Sequence, residues 1–163
     1  MRRMASVSGL ATIHAARRQK MHHPGTVSCQ EDTLMTIELT MLGWSVALGL
    51  AYVLIAAALG TAQRGVQWNV GNRDGETPPL TGAAARADRA SRNFLETFAF
   101  FAAAVLAVVI AQRTGEHTTL GVQLYFWARV AYLPIYLVGI PYLRTAVWAM
   151  SLFGLLLVLG ALF

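Results

Sequence analysis

The residues able to do chemistry crowd into one stretch of an otherwise apolar chain: Arg86, Arg89, Arg92, Asn93 and Glu96. At 100° per residue, a helix sets Arg86, Arg89, Asn93 and Glu96 on one face and brings Arg92 to the edge of the same arc. Arg92 also stands four residues before Glu96, an ion-pair spacing, while Asp88 falls outside the arc and reads as solvated. A second stripe repeats the pattern with different groups, since Tyr125, Arg129, Tyr132 and Tyr136 share one helix face. Phenols and guanidinium groups are hydrogen-bond donors, and an arginine fork matches a carboxylate in bidentate fashion. The excess of arginine over carboxylate predicts an anionic ligand with more than one acidic group, leaving Glu96 to take an amino group. Taken singly, such residues have a plainer use: tyrosines form belts at membrane ends, and interface arginines snorkel to headgroups. Two inward stripes at one depth, one of them carrying a glutamate, favour a site.

Composition says what kind of element must position these residues. Of the 163 residues, 56% are hydrophobic and 13% charged, with a mean hydropathy of +0.50. Soluble domains carry about a quarter charged residues, so the chain reads as an integral membrane protein. A sequence pI of 10.0 raises the question of nucleic acid. The charge distribution answers against it: Arg2, Arg3, Arg17, Arg18 and Lys20 lie in the first 34 residues and the remainder are dispersed. No basic face with interleaved aromatics is left to follow a phosphate backbone. Cys29 is the only cysteine, which gives neither a disulfide framework nor a thiolate metal site. His22 and His23 have no third ligand near them, so no metal site is proposed.

Residues 1–34 are polar, basic and aperiodic, without the continuous apolar core of a signal peptide. They read as a disordered basic tail or an over-long gene start, with Met35 the functional start; a basic amphipathic targeting segment is the other reading. Residues 35–163 then form one domain of four transmembrane helices. The uncharged run Leu39–Gln63 is the first, with Glu38 at its interfacial start. Glycines and prolines punctuate a loop over residues 64–85, long enough to act as a lid or mouth, and Thr81 is placed to cap the second helix. That helix runs over Arg86–Gln112. Its uncharged part, Thr97–Gln112, is too short to span alone, so the polar start belongs to the membrane helix. Thr118–Leu143 is the third span, interrupted by Arg129 and kinked by Pro134, with Gly139 and Pro141 marking its end. Arg144 opens the fourth, which continues to Phe163. The expectation is an all-α four-helix bundle with antiparallel neighbours. With a start at Met35, the arginines at 64, 73, 86, 89, 92 and 144 oppose Arg113 alone, so loops one and three face the cytoplasm. Arg89, Asn93, Glu96, Tyr132, Tyr136 and Arg144 then converge near the cytoplasmic interface.

These residues resemble the MAPEG family, the membrane-associated proteins in eicosanoid and glutathione metabolism. The family's Arg-x-x-x-Asn-x-x-Glu pattern matches Arg89-Ala90-Ser91-Arg92-Asn93-Phe94-Leu95-Glu96, and its Arg-x-x-Tyr-x-x-x-Tyr pattern matches Arg129-Val130-Ala131-Tyr132-Leu133-Pro134-Ile135-Tyr136. Pro78-Pro79-Leu80-Thr81 is similar to the loop before the second helix in some members, and Arg144 stands where an arginine opens the family's fourth helix. The interval from Tyr136 to Arg144 is one residue longer than in the eicosanoid synthases. The resemblance covers about residues 36–163. It implies a homotrimer that takes glutathione as co-substrate between subunits, near the cytosolic side, in a multi-pass bacterial inner-membrane setting. Arg89, Asn93, Glu96, Tyr132 and Tyr136 would bind the tripeptide, with Arg129 from the same stripe, and Arg144 would be catalytic by stabilising the thiolate. Arg86, Arg92 and Arg64 are further candidates. The implied activity is that of a glutathione-dependent transferase or peroxidase acting on lipophilic small molecules that enter from membrane lipid. Two alternatives stay open: a non-catalytic membrane subunit of the same fold, and a small-molecule transporter.

Overall fold

The structure, a computed structural model, describes residues 35–72 and 79–163. The expected tail at 1–34, and Arg73, Gly75 and Pro78 of the first loop, lie outside the described residues. Those described hold five helices and no strand: α1 (Ile37–Arg64), α2 (Val66–Val70), α3 (Gly82–Ile110), α4 (Glu116–Val138) and α5 (Pro141–Gly160). Three of them, α1, α3 and α5, are long and apolar enough to cross a membrane. The expected third span, α4, is not among these. It is 23 residues long but carries Glu116, His117, Gln123, Arg129 and three tyrosines. Packing absorbs the polar groups of one face, with Thr118, Tyr125, Arg129, Tyr132 and Tyr136 all buried there, while Glu116 and His117 at the start of the helix stay exposed.

Local chemistry sets most of the helix ends. Thr36 caps α1 by accepting the Leu39 N–H at 3.4 Å. Gly139 ends α4 in the left-handed conformation at φ 92°, and Pro141 opens α5 at a position where its missing N–H has no partner to lose. Arg144 therefore lies in the first turn of α5 and does not begin it. Thr81 does occupy the N-cap position of α3, but its side chain makes no cap bond. Its hydroxyl accepts from Gln63 Nε2 at 2.8 Å, and Gln63 Oε1 accepts the Thr81 N–H at 3.2 Å. This reciprocal pair ties the end of α1 to the start of α3, and α3 begins one turn earlier than its charged residues suggest. The loop that the glycines and prolines predict also contains the short helix α2.

Cross-helix contacts give the register. Gly49 meets Phe94 and Gln63 meets Thr81, so α1 and α3 run antiparallel. Phe101 stacks on Tyr125 with centroids 3.8 Å apart, and Asn93 meets Arg129, so α3 and α4 are antiparallel as well. Gly121 against Gly154 sets α4 antiparallel to α5, whereas Glu38–Thr118 and Tyr52–Arg129 make α1 and α4 parallel. Two apolar clusters lie along the axis. Phe101, Val105, Val108, Val122, Leu155 and Val158 fill one end, and Tyr52, Ala90, Phe94, Tyr132, Leu133 and Tyr136 the other. Glu38, which the sequence places at the interface, is only 2% exposed. Its Oε1 accepts from the hydroxyls of Thr118 at 2.7 Å and Thr119 at 3.3 Å. The carboxylate sits at the N-terminus of α4, where the helix dipole favours negative charge.

Close backbone approach is sharpest between α4 and α5. A Cβ on Gly154 would stand 2.6 Å from the Gly121 carbonyl oxygen and 2.8 Å from the Tyr125 nitrogen. These are backbone atoms, which cannot yield as a side-chain tip does. Gly154→Ala is expected to lower stability by about 1–3 kcal/mol through overpacking. Gly43→Ala, where an added Cβ meets nothing within 4 Å, should be neutral or stabilising by up to about 1 kcal/mol. Thermal unfolding in detergent micelles compares the two.

Candidate functional site

Arg129 is the charged residue buried most deeply among those described, at 1% exposure. A guanidinium out of water is tolerated only with partners. Here Nη1 donates to Asn93 Oδ1 at 2.9 Å and Nη2 donates to Thr97 Oγ1 at 2.7 Å. Tyr125, Tyr132 and Phe94 present ring faces with centroids 5.4–6.0 Å from its Cζ, within cation–π reach. Its own carbonyl accepts the Tyr52 hydroxyl at 2.6 Å. No carboxylate pairs with it among the described residues, and its Nε finds no acceptor.

On the other side of Asn93 lies a cavity of about 300 Å³ lined by Asn93, Tyr132, Tyr136, Arg144, Thr145 and Trp148. Three helices build it. Asn93 comes from the polar start of α3, the tyrosines from the last turns of α4, and the other three from the first turns of α5. The left-handed turn at Gly139 folds α5 back against α4, which carries the Arg144 guanidinium to 4.7 Å from the centre of the Tyr136 ring. Tyr132 and Tyr136 lie 5.2 Å apart, centroid to centroid. Thr145 donates to the Pro141 carbonyl at 3.1 Å, so its oxygen is left as an acceptor. The other polar groups of the wall are an amide, two phenols, a guanidinium and an indole. The wall is rich in donors and carries positive charge.

Four of the residues anticipated for the site thus gather around one cavity: Asn93, Tyr132, Tyr136 and Arg144. Arg129 does not line it and stands behind Asn93. Arg89 and Glu96 are exposed on this single chain and line neither the cavity nor its neighbour. Arg86 is half-buried and turned to a structural use, its Nε donating to the Leu137 carbonyl at 2.8 Å at the end of α4. Arg92 pairs with Asp88, one turn before it, in place of the anticipated Glu96. Asp88 is consequently an ion-pair partner and not simply solvated.

A second cavity, of about 360 Å³, opens on the opposite flank of α3 between α1 and α2. Arg64, Trp68, Asp88 and Ser91 are among its lining residues. The Arg64 guanidinium lies 4.5 Å over the Trp68 ring, and its Nε is buried without an acceptor among the described residues. Arg64 therefore stays on the flank of α3 away from Arg144. Both cavities lie at the end where α1 finishes and α3 and α5 begin.

Sequence spacing alone passes over Thr97, Tyr52, Thr145, Trp68 and Trp148. Three of these carry a readable signal: Thr97 follows Asn93, Trp68 follows Arg64 and Trp148 follows Arg144, each at the spacing of one helical turn. Tyr52 carries none, because its partner Arg129 is 77 residues away in the chain.

The sequence has a counterpart among known families. The MAPEG family model matches residues 41–163. The chain belongs to the MAPEG family. The match takes in α3, α4 and α5 whole and all but the first turn of α1, so every residue lining either cavity lies within it. Comparison with curated proteins and with solved structures gives no match.

The Arg129 contacts generate a stability test. Thr97→Val keeps the shape of the side chain and removes the oxygen that accepts from Nη2. A buried guanidinium N–H left without an acceptor costs about 1–3 kcal/mol, so the thermal midpoint should fall. Thr97→Ser, which keeps the acceptor, should lose much less.

Proposed function

We propose that this MAPEG member is a membrane-bound glutathione-dependent transferase or peroxidase acting on lipophilic electrophiles. The observation that carries the reading is the convergence of Arg144, Tyr132, Tyr136 and Asn93 on one donor-rich cavity. A tripeptide with two carboxylates and a thiol suits such a wall, because every one of those groups is an acceptor in its ionised form. Arg144 is assigned to the sulfur. A free thiol has a pKa of about 8.5, and an adjacent guanidinium lowers it, raising the thiolate fraction near neutral pH. A tyrosine hydroxyl donates to the sulfur and holds its lone pair toward the incoming substrate. In conjugation, the sulfur forms a bond to an electrophilic carbon while the leaving group departs with its electron pair. With a hydroperoxide, two thiols are oxidised to a disulfide, and the peroxide is reduced to an alcohol and water.

The same proposal takes α4 as a fourth span, its polar face turned inward as its burial pattern supports. Arg89 and Glu96 are exposed charged residues on a helix long enough to cross the bilayer. Charged groups at such positions turn to a protein neighbour or a wet cavity, and a second copy of the chain in a homotrimer supplies one. Arg64, Arg86, Arg89, Arg92 and Arg144 stand at one end of the helices and Arg113 at the other, which supports a cytoplasmic site in a bacterial inner membrane.

A titration of glutathione followed by thiolate absorbance tests the reading. Wild type should show a thiolate band at neutral pH. Arg144→Ala should move the titration midpoint upward, toward that of free thiol, with affinity nearly unchanged. Arg89→Ala and Glu96→Ala should each weaken binding by about tenfold or more, the loss of one charge-assisted hydrogen bond. If wild type gives no thiolate band and no conjugation across several electrophiles, the non-catalytic reading replaces this one. Arginine-dependent substrate flux in proteoliposomes would establish a transporter instead.

A further inference from the structure

We propose that Arg129 is a positioning residue that fixes the polarity of Asn93, so that the cavity offers a donor, never an acceptor, at that point. The inference rests on the glutathione reading above and deepens it. An asparagine amide has one accepting oxygen and one donating nitrogen, and rotation by 180° about its last bond exchanges them. At most sites either arrangement is available. Here it is not, because the neighbour is a guanidinium, which has five donors and no acceptor and does not lose its proton. The 2.9 Å contact from Nη1 can exist only if Asn93 Oδ1 faces Arg129.

Turning the amide would set Nδ2 against a guanidinium nitrogen, donor against donor, and strip the buried cation of one of its two side-chain acceptors. Arg129 cannot move away to relieve this. Thr97 holds its other nitrogen at 2.7 Å, three aromatic rings enclose it, and Tyr52 anchors its backbone. Asn93 Nδ2 makes no hydrogen bond among the described residues and is not among the buried unpartnered atoms. It is left to donate into the cavity that Asn93 lines. The ligand atom it meets must be an acceptor, a carboxylate or carbonyl oxygen, and an ammonium group is rejected there. Any amino group of the ligand must find its partner elsewhere.

Asn93→Asp separates this role from a structural one, because it moves stability and binding in opposite directions. Aspartate has the shape of asparagine, and one of its oxygens still accepts from Arg129, now as an ion pair to a cation that has none among the described residues. The thermal midpoint of Asn93→Asp should therefore equal or exceed that of wild type and lie above that of Asn93→Ala. Its second oxygen turns the donor facing the cavity into an anionic acceptor. Glutathione affinity, measured by calorimetry on the full chain in detergent, should fall about tenfold in Asn93→Ala, the loss of one hydrogen bond. It should fall by about a hundredfold or more in Asn93→Asp, where repulsion is added. In the wild type, the side-chain amide 15N–1H signals of Asn93, assigned by their absence from Asn93→Asp, should shift when glutathione is added. If wild type binds glutathione and Asn93→Asp binds it as well as Asn93→Ala or better, the positioning role is overturned while the function stands. A midpoint for Asn93→Asp below that of Asn93→Ala also overturns the role. Absence of glutathione binding by the wild type removes the function, and this inference with it.

Discussion

The guanidinium of Arg129, buried and without a carboxylate partner among the described residues, is the constraint on which the rest of this structure depends. It is held by two side-chain oxygens of α3 and by three rings, while its backbone carbonyl is held by a tyrosine of α1. The three helices are thereby fixed in depth relative to one another by polar contacts. This matters in a bundle meant for lipid, where apolar contact between helices is not favoured over contact with acyl chains. Among the described residues, the arrangement also leaves one positive charge without a counter-ion just behind the cavity wall. An anion in the cavity is attracted by Arg144 directly and by Arg129 through Asn93.

The two ends of the molecule solve different problems. At the end away from the cavities, Glu38 is closed in by Thr118 and Thr119, and Arg113 donates to the Leu162 carbonyl at 2.7 Å near the end of α5. Those polar groups satisfy backbone and helix ends and leave little to offer a ligand. At the other end, the side chains around α3 are divided. Asn93 serves one cavity, Asp88 and Ser91 the other, and Arg86 is spent on the α4 terminus. Arg89 and Glu96 are left over, exposed and without ion-pair partners among the described residues. In the proposed homotrimer, a ligand spanning the first cavity and a neighbouring chain would use both.

Packing explains how such a site stays open in a crowded bundle. Gly49 leaves room for the Phe94 ring, since a Cβ there would stand 2.7 Å from its Cε1. Phe94 can then lie against Tyr52 and beneath Arg129 without pushing α3 off α1. The close Gly121–Gly154 approach draws α5 onto α4 at the far end, and the left-handed turn at Gly139 brings them together at the near end. Arg144 is consequently placed by two backbone features and by its stacking on Tyr136, and not by any ion pair among the described residues.

What the sequence determined by itself was the helical class, the membrane character of three helices and the identity of four of the six residues that line the cavity, Asn93, Tyr132, Tyr136 and Arg144. These are properties of period and composition: uncharged runs long enough to span, and polar residues recurring one turn apart. Tertiary structure alone decided the use of each polar residue. Arg86, Arg89, Asn93 and Glu96 share an arc in any helix, yet one holds a helix end, one lines the cavity and two stay exposed. Arg92 has acidic residues four positions away on both sides, and only the three-dimensional surroundings choose Asp88. Arg129 and Tyr132 belong to one stripe, yet only the tyrosine lines the cavity, because the guanidinium reaches back to Asn93 and Thr97. Helical spacing records direction around one axis. Which neighbour occupies that direction, and whether it donates or accepts, depends on contacts such as Tyr52–Arg129 that lie 77 residues apart in the chain.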